Sequence, residues 1–264
     1  MSHSPLTTTT TVPRAQSRQY CWKWGQILGS YQGKFAVIGG AVPWLLLDND
    51  DMHHVGTIDI DLALDAEALG DGEYATMIES LLDHGYEQRK EFRRFQLVRI
   101  VPGQAGEPPV NVIVDFLMPR DADIEKNQPP LIDDFAVIKA DAVDLALEFS
   151  TSLTVEGTMP GGASNSVTLA IASIPALLAM KGHAINNRLK HKDAYDIYYC
   201  VRNFPGGHEA LAEQCVPLLA RPNAALGYRY IAAKFGKPDS FGPFSVKQFV
   251  SESDILDGRT PDQW

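Results

Sequence analysis

The first predicted structural unit is a strand, a glycine turn and a helix near the start of the chain. Residues 35–38 form a compact apolar run, which is typical of a short buried strand. Gly39 and Gly40 follow directly, and residues 41–47 are almost entirely apolar. Pro43 fits the first turn of a helix, where the backbone N–H groups have no partner within the helix. The pattern therefore predicts a helix over 41–47.

Two later segments carry the pattern of strands. Residues 57–64 place an apolar side chain at every second position, which indicates a strand with one apolar face. Residues 110–118 are apolar apart from Asn111 and the charged Asp115, and β-branched residues predominate up to Val114. A helix is predicted over 73–83, and further strands are predicted over 92–101 and near 135–139, 153–156 and 167–171.

The last third of the chain is predicted to be helical. Ser173 suits a helix N-cap and Pro175 suits the first turn that follows, so a helix is predicted from 173 to about 187. Further helices are predicted at 192–203, 208–219, 224–235 and 245–256. We therefore predict an α/β (α+β) fold with a mixed sheet flanked by helices. Its expected divisions are a disordered tail at 1–19, a catalytic domain at 20–172 and a helical region at 173–264.

Composition narrows the classes of function. The chain has 264 residues, 45% of them hydrophobic, but it has no long apolar run, so we expect a soluble protein without a membrane span. The N-terminus lacks the apolar region of a secretory signal. The cysteines Cys21, Cys200 and Cys215 have no C-x-x-C spacing, which argues against a disulfide framework or a zinc site and favours the cytoplasm. The net charge of -10 disfavours broad adhesion to nucleic acid.

Three aspartates form the candidate catalytic group. Asp59 and Asp61 are two residues apart on a predicted strand, so both side chains point to one face. Like charges held together favour a bound cation, and carboxylates without His or Cys nearby suit Mg²⁺ or Mn²⁺ better than zinc. If the strand that carries Asp115 lies beside them, the three carboxylates can hold two metal ions. The alternative is an acidic pair on an exposed strand.

The glycine pair adds a candidate phosphate site. A glycine turn that opens a helix presents free backbone N–H groups to an anion. The alternative is a tight turn with no ligand. The order of glycine turn, acidic pair and third carboxylate favours the site.

These motifs resemble the nucleotidyltransferase superfamily and, within it, the AbiEii-like toxin branch. The matching elements are the strand ending in Gly39 and Gly40 and the run of Thr57, Asp59 and Asp61. The resemblance implies that the two glycines hold the triphosphate of an NTP and that both aspartates bind metal. It implies that Asp115 completes the site and assists deprotonation of the attacking group, with pyrophosphate released.

A second block, between residues 181 and 196, is similar to a downstream motif of this branch. Lys181 and Arg188 are seven residues apart and share a helix face, where they can meet triphosphate charge. The resemblance implies nucleotide contact by Lys181 and a structural or catalytic role for Asp193. Asp196, three residues after Asp193, shares a face of the second helix with it. The alternative is a solvated helix with ordinary ion pairs.

The chain departs from the family pattern at one position. The family has an Arg two residues before the Thr, and Val55 stands there. His53 and His54 are candidates to substitute in part, although adjacent loop histidines are more often surface residues. Because this Arg is missing, the alternative that the chain is a nucleotide-binding or protein-binding module without catalytic turnover stays open.

The expected function is transfer of an NMP from an NTP to an acceptor hydroxyl on tRNA or protein. An antitoxin partner is implied by the resemblance alone. Basic clusters at 89–94 and 188–192 suit RNA phosphates despite the acidic total. The rival enzyme is an aminoglycoside-type nucleotidyltransferase, because an acidic surface suits a cationic acceptor.

Overall fold

The fold is taken from a computed structural model. It describes residues 25–47, 52, 54–57, 59–69, 72–93, 96–101, 109–122, 137–158, 164–253, 260 and 263. The predicted tail at 1–19, Cys21 and His53 lie outside these residues. Cys200 and Cys215 carry free thiols.

Seven strands of the described residues form one mixed sheet, and its centre is built from strands far apart in sequence. In spatial order the strands run β3-β4-β2-β1-β7-β6, and β5 pairs with β4. The pairs β1–β7, β2–β4 and β4–β5 are parallel, and the pairs β1–β2, β3–β4 and β6–β7 are antiparallel. The strands are β1 (Phe35–Ile38), β2 (Ile60–Leu64), β3 (Gln96–Val101), β4 (Val110–Pro119), β5 (Ile138–Ala140), β6 (Ser150–Thr158) and β7 (Ser164–Ala172).

Helices cover the sheet and make up the C-terminal region. They are α1 (Ala41–Leu46), α2 (Glu73–Asp83), α3 (Asp144–Glu148), α4 (Ile174–Arg188), α5 (His191–Asn203), α6 (Gly207–Cys215), α7 (Pro222–Phe235) and α8 (Phe241–Glu252). Short 3-10 helices span Gly29–Tyr31 and Val216–Ala220. Tyr74 of α2 packs edge-on against Phe116 of β4, with ring centroids 6.1 Å apart.

The mixed α/β architecture predicted from the pattern is confirmed. The strand at 35–38 and the helix at 73–83 have the predicted bounds. Ser173 caps α4 as predicted, its side chain accepting a hydrogen bond from the Ala176 N–H at 3.4 Å.

Several predicted boundaries were wrong by a few residues. Strand β2 begins at Ile60 and not at 57, because its pairing with β1 and β4 starts only at residue 60. The helix predicted at 208–219 ends at Cys215 and continues as a 3-10 helix that begins just before Pro217. The last helix lies at 241–252 and not at 245–256.

A single hydrophobic core runs from the sheet into the helical region. Buried side chains of β2 and β4, such as Leu62 and Phe116, belong to the same cluster as Leu177 of α4 and Tyr195 of α5. The domain boundary predicted at 172/173 stays a prediction. None of the helices in the described ranges is both long enough and apolar enough to span a membrane.

The crossing of α4 and α7 generates the first prediction. A β-carbon added at Gly182 would lie 2.0 Å from the carbonyl oxygen of Gly227, so the two backbones touch. We expect Gly182→Ala to lower the free energy of unfolding by about 1–3 kcal/mol or more, because the helices must separate. Urea denaturation measures the change. Gly29→Ala is the control, since a β-carbon there meets nothing within 4 Å; equal losses in both variants would contradict the prediction.

Candidate active site

The glycine turn lies directly against the first carboxylate of the acidic strand. Ile38, the last residue of β1, pairs with Asp61 of β2. Gly39 has a left-handed φ of 73°, and a β-carbon added there would lie 1.8 Å from Asp61 Oδ2. Gly39 is therefore required twice, once by the backbone conformation and once by the space that the carboxylate occupies.

The second carboxylate lies opposite the first on the neighbouring parallel strand. Asp61 and Asp115 are register partners in the β2–β4 pair, so their side chains leave the same face of the sheet. Gln96, the partner of Asp115 on β3, donates a hydrogen bond from Nε2 to Asp115 Oδ1 at 2.8 Å. Ile60 and Leu62 point to the opposite face and are buried there.

The third carboxylate precedes the strand and is not part of it. The Asp59 N–H donates a hydrogen bond to Thr57 Oγ1 at 3.2 Å. Thr57 Cβ in turn lies 3.6 Å from the position of a β-carbon on Gly40, so this loop packs beside the glycine turn. The predicted placement of Asp59 on a strand was wrong, but the loop still brings it to the acidic face.

All three carboxylates hold their protons more tightly than free aspartate. Desolvation raises the pKa of Asp59, Asp61 and Asp115. The charge of Asp61 raises the pKa of Asp59 further, and together the Asp61 and Asp59 charges help raise the pKa of Asp115 to about 7. Negative charge is thus under-compensated on this face, which favours a bound cation.

As the side chains stand, the carboxylates do not form a closed ligand set. Within the described parts of the chain, no group of three or more His, Cys, Asp or Glu side chains is close enough to hold a metal ion. The donor chemistry nevertheless fits a hard divalent cation, because Asp61 and Asp115 face each other across one strand pair and Asp59 lies beside Asp61.

A buried ion cluster near Asp61 joins α4 to α5. Lys181 Nζ donates to Asp193 Oδ1 at 2.7 Å and to Asp196 Oδ2 at 2.6 Å. Arg188 contributes a two-point contact, with Nε and one terminal nitrogen 2.7 Å and 2.9 Å from the two oxygens of Asp193. The alternative of a solvated charged helix was wrong, because Lys181, Asp193 and Asp196 are buried.

The cluster also extends to the loop before the acidic strand. His54 Nε2 lies 3.0 Å from Asp196 Oδ1, and its Nδ1 accepts a hydrogen bond from the Gly56 N–H at 3.1 Å. Nε2 is therefore the protonated nitrogen of a neutral ring. Burial lowers the pKa of His54, which agrees with that state.

The expected role of His54 was wrong. It is not a surface residue, and it does not replace the charge of the missing Arg, because its ring is neutral and both nitrogens are occupied. Val55, at the position of that Arg, is itself buried in the core.

A comparison with protein families identifies the chain. The family described as "Nucleotidyl transferase AbiEii toxin, Type IV TA system" matches residues 53–258, which is most of the chain. The chain belongs to the AbiEii family. It is therefore a nucleotidyltransferase, and the type IV toxin–antitoxin system of the family supports an antitoxin as its partner. A comparison of the chain with curated proteins gave no match.

The AbiEii match covers most of the predicted site. Gly39 and Gly40 lie before the matched segment, and only the fold brings them to it. Gln96 was missed from the sequence, because no local signal marks a polar residue at the start of a strand as the partner of a carboxylate. The predicted site residues inside the match are Thr57, Asp59, Asp61, Asp115, Lys181, Arg188 and Asp193.

The raised pKa of Asp115 predicts that the free energy of unfolding depends on pH when a chelator keeps metal ions away. A carboxyl with a higher pKa in the folded chain keeps a proton that the unfolded chain releases, so wild-type stability falls from about pH 4 to about pH 7. Asp115→Asn keeps an oxygen for Gln96 and has no charge. We expect this variant to be more stable than wild type by about 1–4 kcal/mol at pH 8 and equal to it near pH 4. A pH-independent difference in denaturant unfolding would contradict this.

The buried cluster predicts a large cost for losing one carboxylate. Asp196→Asn leaves Lys181 with one counter-charge in a buried site, so we expect a loss of about 3 kcal/mol in the free energy of unfolding. Glu148→Gln is the matched control, because Glu148 pairs with Arg221 at the exposed surface. We expect little change there. Similar losses in the two variants would show that the cluster is not a special source of stability.

Proposed function

We propose that the chain transfers an NMP from an NTP to an acceptor hydroxyl and releases pyrophosphate. The observation that carries the proposal is the meeting of Asp61 with both Gly39 and Asp115 on one face of the sheet. A phosphate-binding turn and a pair of facing carboxylates are what in-line attack on an α-phosphate requires.

Asp59, Asp61 and Asp115 are the proposed ligands of Mg²⁺ or Mn²⁺. Their raised pKa values and mutual repulsion support a cation at this face. When bound, the metal would neutralise charge that develops on the phosphate oxygens and leaving group. Thr57 and Arg188 keep their predicted nucleotide contacts in this proposal, whereas Lys181 and Asp193, which are buried and paired with each other, support the site from the ion cluster.

Asp115 is the proposed proton acceptor. Asp115 lies opposite Asp61 and is held by Gln96, so its carboxylate is placed to accept a proton at this face of the sheet. In the proposed step the acceptor hydroxyl oxygen bonds to the α-phosphorus, its proton passes to an Asp115 carboxylate oxygen, and the bond to the bridging oxygen breaks with pyrophosphate as the leaving group. Gln96 holds that carboxylate through its other oxygen.

The proposed acceptor is tRNA or a protein. Lys190 is exposed and its charge reaches Asp59, so basic residues stand at the rim of the acidic face and favour a phosphate-bearing acceptor. The basic residues near position 89 are weaker support for an RNA acceptor than Lys190 is, because Arg89 is already paired with Glu87 and Glu91. The net charge of -10 favours the second candidate, a cationic aminoglycoside-type acceptor.

The test is NTP turnover by the full-length chain with each of the four NTPs and Mg²⁺ or Mn²⁺. We expect labelled NMP on RNA or protein from a cell extract, and loss of this signal in chelator. Asp59→Asn and Asp61→Asn should each reduce the rate about 100-fold or more, without lowering thermal stability, because each removes a charge that desolvation makes unfavourable in the folded chain.

Asp83→Asn is the control for these variants, since Asp83 is exposed near the end of α2. Labelling of added aminoglycosides alone would select the second candidate. A wild-type chain that is inert with all NTPs, both metals and all three acceptor classes would refute the proposed function.

A further inference from the structure

We propose that Lys192, at the start of α5, binds the NTP phosphates at the glycine turn. The inference rests on the proposed function and deepens it, because it names the cation that holds the leaving pyrophosphate. It also separates Lys192 from Lys181, the lysine that the family resemblance singled out.

Lys192 reaches the glycine turn directly. Its Nζ lies 2.4 Å from the position that a β-carbon on Gly40 would occupy, and its Cε lies 3.7 Å from the same point. The ammonium group therefore rests against Gly40, beside the loop of Thr57. A phosphate held by this turn would meet the ammonium at hydrogen-bonding distance.

The two glycines of the turn serve different purposes. Gly39 has a left-handed backbone, whereas Gly40 has φ -69° and ψ -13°, a conformation that any residue adopts. Gly40 is thus not required by its backbone. A side chain at position 40 would displace the ammonium of Lys192, and this close approach gives the second glycine a physical reason.

Lys192 has donors available for a ligand. Within the described ranges it makes no hydrogen bond and no ion pair, and it is only half-buried. Lys181, in contrast, is buried and already donates to Asp193 and Asp196. Binding a phosphate through Lys181 would break buried ion pairs, whereas Lys192 can bind one without breaking any.

The charge of Lys192 acts on the carboxylates of the proposed site and on the ion cluster. It lowers the pKa of Asp59 and Asp61, although desolvation outweighs it, and it contributes to the lowered pKa of Asp196. Lys192 thus lies between the glycine turn and the three proposed metal-binding carboxylates. From there it can contact the β- and γ-phosphates while the α-phosphate faces the carboxylates.

The buried cluster fixes where Lys192 stands. Its chain neighbour Asp193 is held by Lys181 and by Arg188, so the first turn of α5 is anchored from two directions. The flexible part of Lys192 is then only its side chain. This lowers the entropy that phosphate binding costs.

The test is direct binding of ATP, AMP and inorganic tripolyphosphate to the full-length chain by calorimetry, with Mg²⁺ present. We expect Lys192→Gln to weaken ATP and tripolyphosphate about 10- to 100-fold, the effect of losing a charged hydrogen-bond donor, and to change AMP less than about threefold. Lys192→Arg, which keeps the charge, should retain most of the affinity. Lys237→Gln removes the same charge at an exposed site away from the turn and should bind like wild type.

The outcomes separate this inference from the proposed function. If wild type binds tripolyphosphate and Lys192→Gln binds it equally well, the inference is wrong and the proposed function stands. If Lys192→Gln instead tightens Mn²⁺ binding with no effect on tripolyphosphate, Lys192 only balances the carboxylates and the inference is again wrong. If wild type binds no triphosphate, both fail together.

Discussion

The site depends on the buried pairing of Lys181 with Asp193 and Asp196. This contact joins α4 to α5, and through His54 it fixes the loop that leads into β2. Each buried carboxylate has a cationic or N–H partner, so the charges are tolerated in a region that excludes water. Lys181, Arg188 and Asp193 lie close enough to Asp61 for their charges to act on its pKa, so the cluster adjoins the carboxylates of the sheet.

Two opposite electrostatic regimes therefore lie side by side. In the ion cluster, cations hold the pKa of Asp193 and Asp196 below its usual range, although burial alone would raise it. At Asp61 and Asp115 desolvation prevails and the pKa of each is raised, even though the cluster cations Lys181 and Arg188 also act on Asp61. The contrast distinguishes aspartates that hold the fold together from aspartates suited to bind a cation and accept a proton.

Sequence reasoning succeeded where the signal was local. The strand at 35–38, the helix at 73–83 and the cap at Ser173 follow from neighbouring residues, and the structure has them as predicted. His54 was misjudged because its burial depends on Asp196, 142 residues further along. The start of β2 was predicted too early because alternation of residue types does not show where pairing with β1 and β4 begins. Likewise, nothing near Lys192 in sequence indicates that its ammonium rests on Gly40.

The parallel pairing of β2 with β4 also sets when a nascent chain can bring these carboxylates together. Asp61 and Asp115 meet only after β4 has been synthesised, and the cluster that supports them needs Asp196 of α5. The polypeptide emerging from the ribosome thus cannot assemble this centre with its buried support until α5 has been translated.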